Sequence, residues 1–172
     1  MAMNELEMFL NTWEREAERT LKVLRALPEP KYDFRPDADG RSLGELAWHL
    51  AESDAYMSFG VEAGGFTMGA KPPNIERPRT IGALAPEYER VHREAVARLR
   101  KLTPADLDRA IPFFMGSAIP IRDVLWTMII AHLIHHRGQL TLMCRLAGGV
   151  TPGLYGPNRE EMAAMRAGAK AT

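Results

Sequence analysis

Leu6, Leu10, Trp13, Ala17, Thr20, Leu24 and Leu27 follow one another at alternating intervals of four and three residues. That rhythm brings a side chain back to one side of an α-helix at every turn, whereas a strand would need an interval of two. The N-terminal segment is therefore a long helix with one apolar stripe, and such a stripe must be buried against other helices. Pro28 and Pro30 end it.

Three further segments repeat the theme. Ser42 and Glu45 form a capping-box pattern, in which each side chain can satisfy the other residue's backbone N–H, so a second helix starts at Ser42. Its stripe uses Leu43, Leu46, His49 or Leu50, Ser53, Tyr56 and Met57, and Gly60 and Gly64-Gly65 mark its end. The Gly- and Pro-rich stretch from Gly64 to Thr80 is read as a long loop able to wall a pocket. A third helix is expected from about Leu84 to Leu102, with Pro86 in its first turn. Thr103 to Asp106 reads as a capped turn, and Ile111 to Ile121 as a short hairpin or extended loop. The fourth helix should begin near Pro120, a residue suited to the first helical position, and stop at Gly148-Gly149. Its inward stripe reads Leu125, Met128, His132, His136, Gln139, Met143 and Leu146. Asn158 to Glu161 is another capping box, opening a short terminal helix. The expected architecture is all-α: one domain over residues 1–172, a four-helix bundle with long connecting loops and a short C-terminal helix.

Composition narrows the function. At 172 residues, 46% of them hydrophobic, the chain is long enough for one sizeable core. Twenty-two basic residues balance twenty-two acidic ones, which leaves no excess charge to draw the protein onto nucleic acid or anionic lipid. No apolar run approaches the roughly 20 residues needed to span a bilayer, and no leader pattern opens the chain. Cys144, the single cysteine, excludes an intramolecular disulfide and reads as a small buried hydrophobe. A cytoplasmic protein acting on a small molecule is expected.

The histidines carry the chemistry. His132 and His136 lie four residues apart, so on a helix their side chains point within about 40° of each other, one turn apart. Burying two imidazoles on one stripe costs free energy unless their nitrogens find partners, and a shared cation satisfies both. Two ligands seldom hold a divalent ion. His49, on the stripe of the second helix, is the best additional donor. His135 competes with His136 through its i, i+3 relation to His132, but the i, i+4 pair is better centred on the stripe. His92, set among Arg90, Arg93 and Glu94, is read as a rim residue outside the site. Leu133 stands where a metalloprotease would carry its glutamate base, so the pair belongs to another kind of site.

Together, Arg41-Ser-Leu-Gly-Glu-Leu-Ala-Trp-His-Leu50, Ala131-His-Leu-Ile-His-His-Arg-Gly-Gln-Leu140 and Pro152-Gly-Leu-Tyr-Gly-Pro157 resemble the DinB-like superfamily, also called damage-inducible or YfiT-like metalloenzymes. The resemblance runs nearly the whole chain. It implies a four-helix bundle whose second-helix histidine and HxxxH pair, here His49, His132 and His136, hold a divalent metal, often zinc or nickel. It also implies homodimers, and transfer or isomerisation reactions that use a low-molecular-weight thiol such as bacillithiol, mycothiol or glutathione. Three protein ligands leave a fourth position for water, thiolate or substrate, as in catalytic zinc sites. A metal-dependent thiol S-transferase is the expected function, with a metal-dependent hydrolase or a non-catalytic, metal-braced binding bundle as alternatives. Around the site, Arg137 reads as a solvated charge rather than an anion clamp, and Gln139 as a group orienting a histidine or a bound water. Glu52 is either such a group or a surface salt-bridge partner. Tyr155 either closes the pocket or anchors the tail.

Overall fold

The computed structural model describes residues 3–169. Helix α1, Glu5–Arg25, starts with a reciprocal cap: Glu7 N–H donates to Asn4 Oδ1 at 3.0 Å and Asn4 N–H to Glu7 Oε2 at 3.1 Å. Of its expected stripe, Leu6, Trp13, Ala17, Thr20, Leu24 and Leu27 are buried, joined by Phe9 and Val23. Helix α2, Leu43–Ala63, has the Ser42–Glu45 box that the sequence predicts, with N–H to oxygen distances of 2.8 and 3.2 Å. Gly64 ends it with φ +76°, a left-handed conformation that costs glycine little.

Helix α3 spans Ile81–Leu99, three residues earlier at each end than the sequence suggests. Pro86 consequently lies in the second turn, where it forfeits only the bond to the Gly82 carbonyl. Burial of Ile81 and Leu84 against the core offsets that loss. At the other end a capping box between Thr103 and Asp106 opens a short 3-10 turn, Pro104–Asp108, so α3 cannot extend to Leu102. The expected hairpin is present: β1, Ala110–Pro112, pairs antiparallel with β2, Ala118–Pro120, with Ile111 opposite Ile119.

The fourth helix, α4, covers residues 121–146 in three parts: α-helical Ile121–Asp123, π-helical Val124–Ala131 and α-helical His132–Leu146. Pro120 is its N-cap in extended conformation, one position before the first helical residue expected for it. Gly148, at φ +88°, follows the helix end. The Asn158–Glu161 box opens α5, Arg159–Ala169, which buries none of its residues.

Helix α2 packs against both α3 and α4, and α1 against α3 and α4. Phe9 and Trp13 of α1, Trp48 and Leu50 of α2, Tyr88 and Leu99 of α3, and Ile129, Leu133 and Leu140 of α4 are completely buried between them. The architecture is thus the all-α four-helix bundle with a short terminal helix. Among the described residues no helix is long and apolar enough to cross a membrane.

The π-helical part corrects the expected stripe of α4. A π-turn takes in about one residue more than an α-turn, so later residues fall behind an uninterrupted α count by about one position. The buried line becomes Leu133, Arg137, Leu140 and Cys144. His132 and His136 sit half-buried beside it rather than in the core, and Gln139 and Leu146 are exposed.

Candidate metal centre

His49 on α2 and His132 and His136 on α4 come together: one nitrogen of each lies within 4.8 Å of the others. Their ring centroids are 4.3 to 5.1 Å apart, and the planes stand 73 to 82° to one another. Edges, not faces, therefore meet at the centre. The Nε2 atoms of His132 and His136 are 3.0 Å apart. Two nitrogens about 2.0–2.1 Å from one tetrahedral zinc ion stand roughly 3.3 Å apart, so the spacing suits a shared ion.

The outward nitrogens decide the tautomers. His136 Nδ1 is 2.7 Å from Gln139 Oε1, an oxygen that only accepts, so this nitrogen carries the hydrogen. His132 Nδ1 is 3.0 Å from Ser53 Oγ, and that hydroxyl donates to the Met128 carbonyl at 3.4 Å. Ser53 thereby accepts from His132. His49 Nδ1 faces Glu52 Oε2 at 3.5 Å. With the His132 and His136 hydrogens held outward, their Nε2 lone pairs face each other, and Glu52 stands beside His49 as the carboxylates that orient metal-binding imidazoles do.

A proton does not fill the gap between them at neutral pH. Burial, followed by the charges of His136, His49, His135 and Arg41, pushes His132 down to about 4. Burial also lowers His136, with His49, His135 and Arg41 adding to the effect against the opposing Gln139 hydrogen bond. Two inward lone pairs 3.0 Å apart repel unless a cation lies between them, and neutral imidazoles are the form that binds metal.

Glu52 and Gln139 each line a cleft beside the centre. The first, about 450 Å³, is polar and bounded by Arg35, Asp39, Gly40, Arg41, Glu45, Glu52 and Arg77. The second, about 370 Å³, is largely apolar, with Leu46, Leu142, Met143 and Leu146 beside Gln139. Gly40 and Arg41 border both. The 64–80 loop walls the polar cleft through Arg77, as its composition suggests, and also encloses a separate 320 Å³ hollow at the end of α2.

His135 is exposed and outside the three-nitrogen cluster, and Gln139 faces His136, both in line with the sequence; other expectations change. Arg137 is neither solvated nor an anion clamp: it is 1% exposed and paired with Glu16 of α1, with the Tyr155 hydroxyl and with the Glu16 carbonyl at 2.7 Å. The one-position lag of α4 turns it inward, where only a carboxylate makes its burial tolerable. Tyr155 donates to Glu16 at 2.6 Å and so anchors the tail. His92 stays outside the centre and lines a surface hollow, as a rim residue would, but it is not simply solvated: its Nδ1 is 2.9 Å from the buried Asp54, which also accepts from Trp13 Nε1 at 3.2 Å. Asp54 and Glu16 escaped the sequence reading. Their signal is positional: Asp54 continues the line Leu43, Ala47, Leu50, and Glu16 sits one turn after Trp13.

Comparison with known proteins agrees with this fold. Residues 12–140 match the DinB superfamily. The chain is 31% identical over 159 residues to the uncharacterized protein YrdA of Bacillus subtilis (strain 168), covering 92% of each. A crystal structure of a DinB-like protein from Bacillus cereus ATCC 10987 superposes with a TM-score of 0.71 at 31% identity, over 86% of this chain and 95% of that one. The DinB-like protein YjoA of Bacillus subtilis shares the fold, with a TM-score of 0.71 at 20% identity over 88% and 99% of the two chains.

Proposed function

Because the chain belongs to the DinB superfamily, we propose that it is a divalent-metal enzyme in which His49, His132 and His136 hold zinc or nickel and a small thiol reacts with an electrophilic substrate. The observation that carries this reading is the convergence of one nitrogen from each of three histidines, two of which hold their other nitrogen against Ser53 or Gln139. Imidazole donors suit zinc and nickel alike. Once bound, such an ion supplies Lewis acidity, lowering the pKa of a thiol or water in the remaining position so that it is an anion at neutral pH.

The chain's own residues do the rest. Ser53, Gln139 and Glu52 keep a hydrogen on, or a negative charge beside, each Nδ1 and so fix the ring orientations. His132 and His136 remain neutral and able to donate electron pairs. All three rings are half-buried, and the two clefts lie beside the centre through Glu52 and Gln139. The thiol sulfur forms the new bond to the electrophilic carbon, whose leaving group departs with its electron pair.

The test supplies bacillithiol, mycothiol, glutathione or coenzyme A with a panel of electrophiles to metal-loaded protein and to His49→Ala, and follows thiol consumption. Turnover by the parent protein and its loss in the variant is the expected result. Equal turnover in the variant removes the centre from the reaction, and failure of any thiol to bind the metal-loaded protein reassigns the centre to hydrolysis by an activated water.

We also propose a homodimer. Helix α5 buries nothing against the bundle, yet carries Met162 and Met165 at 37% and 60% exposure, and Ile134 of α4 is exposed as well. A second copy is the occupant proposed for these apolar side chains. Light scattering at micromolar concentration should give the mass of two chains; the mass of one chain across that range rejects the dimer.

A further inference from the structure

Charge in the polar cleft is unevenly satisfied. Glu45 pairs with Arg35 at 2.8 Å and with Arg77 at 3.1 Å, while also accepting from the Ser42 N–H. Glu52 faces His49. Asp39 and Arg41 remain, among the described residues, without an ion-pair partner within 4.0 Å. Of these two only Arg41 also borders the apolar cleft. A free guanidinium therefore lies where the two clefts meet, and Glu52 and Gln139, which face His49 and His136, line one cleft each. Beside them lies an apolar strip made of the buried Leu46 and Met143 and the exposed Leu142 and Leu146, at 61% and 57%.

Resting on the metal-centre reading above, we propose that the substrate or co-substrate of this centre is a small amphiphile. Its oxyanion, a carboxylate or a phosphate, pairs with Arg41, and its apolar body lies along Leu46, Leu142, Met143 and Leu146. Three physical points support the assignment. The guanidinium fork matches a planar oxyanion with two parallel hydrogen bonds. Among the described residues Arg41 is the one basic and Asp37 the one acidic side chain lining the apolar cleft, and a metal cation held by the histidines would add its attraction for an oxyanion to that of Arg41. Leucines this exposed gain by being covered, and an aliphatic chain alongside the charged head covers them. Arg35 and Arg77 do not serve equally, because each already commits hydrogen-bond donors to an ion pair with Glu45.

Calorimetric titration of the full chain with hexanoate, hexanamide and hexyl phosphate tests the assignment, with zinc content measured on every sample. Hexanoate or hexyl phosphate should bind and the uncharged hexanamide should not, and whichever oxyanion binds more tightly identifies the headgroup. Arg41→Gln should weaken that binding about fivefold to tenfold, the low end for a hydrogen bond to a charged group because Arg41 is exposed. Arg41→Lys should fall between. Lengthening butanoate to octanoate should tighten binding about twofold to fourfold per methylene. Equal binding of hexanamide, unchanged affinity in Arg41→Gln with zinc content intact, or no oxyanion binding below millimolar concentration overturns the proposal. Arg41-dependent binding in protein that takes up no zinc would sustain the cleft assignment while removing the metal reading, so the two fail separately.

Discussion

Replacing His132 by Ala is expected to lower zinc affinity by more than about a hundredfold, since losing even a group that only orients a ligand typically costs 10- to 100-fold. His49→Ala and His136→Ala should behave alike, because each removes one of the three inward nitrogens. His135→Ala is the control: its ring lies beside His136 but outside the cluster and should leave affinity unchanged. Competition against a chromophoric chelator reads all four. Metal bound to the native state alone stabilises it by mass action, so chelation should lower the melting temperature of the parent protein and leave that of His132→Ala in place. Full occupancy in His132→Ala, or a loss confined to His135→Ala, refutes the ligand set.

The second large effect concerns stability. Arg137→Met removes the buried partner of Glu16, which keeps Arg19 at 2.7 Å and the Tyr155 hydroxyl at 2.6 Å, so the expected loss is about 1–3 kcal/mol, that of a charged hydrogen bond rather than of a carboxylate left alone. Urea unfolding should show the loss in midpoint at constant slope. Adding Glu16→Leu to Arg137→Met should recover much of it, because an apolar pair avoids desolvating two charges. No recovery would mean that shape, not charge, governs the site. The same carboxylate predicts an acid response. Burial pushes Glu16 up, but the Tyr155 hydroxyl and the Arg137 guanidinium outweigh it and hold the carboxyl below its ordinary value. A group depressed in the folded state contributes fully above its unfolded value and loses that contribution as pH falls through the folded one. Stability from Glu16 should therefore decline below about pH 4.5, and in Arg137→Met that decline should shrink.

Helix positions, the capping boxes at Ser42 and Asn158, the capped turn at Thr103 and the hairpin were legible because each is a local pattern: a side chain three residues from a free N–H, or an apolar residue every three to four positions; the fourth box, Asn4–Glu7, was not read. The candidate histidines were legible for the same reason, as two of them share one helix and the third interrupts an apolar stripe. What escaped depends on geometry that spacing does not encode. An α count carried through Val124–Ala131 cannot register a π stretch, so Arg137 was given to solvent and Gln139 to the interior. His92 looked exposed from its charged neighbours, whereas its environment is set by Asp54, thirty-eight residues away on another helix. The early start of α3 followed from burial of Ile81 and Leu84, a reward that only the packed bundle supplies.

Tyr32 joins the two long connectors: its hydroxyl donates to the Pro78 carbonyl at 2.6 Å, and its ring lies so close to Gly44 that a Cβ there would meet it at 2.3 Å. The connectors carry Arg35, Asp39, Gly40, Arg41 and Arg77, whereas every nitrogen of the centre and every group that orients one comes from α2 or α4. The charged groups proposed to meet a substrate's oxyanion therefore sit on the connectors, whereas the proposed metal ligands and the apolar strip of Leu46, Leu142, Met143 and Leu146 sit on the helices. Surface connections absorb insertions and substitutions that helices do not, so changes in residues 33–41 and 64–79 can alter the choice of headgroup while leaving the three histidines in place.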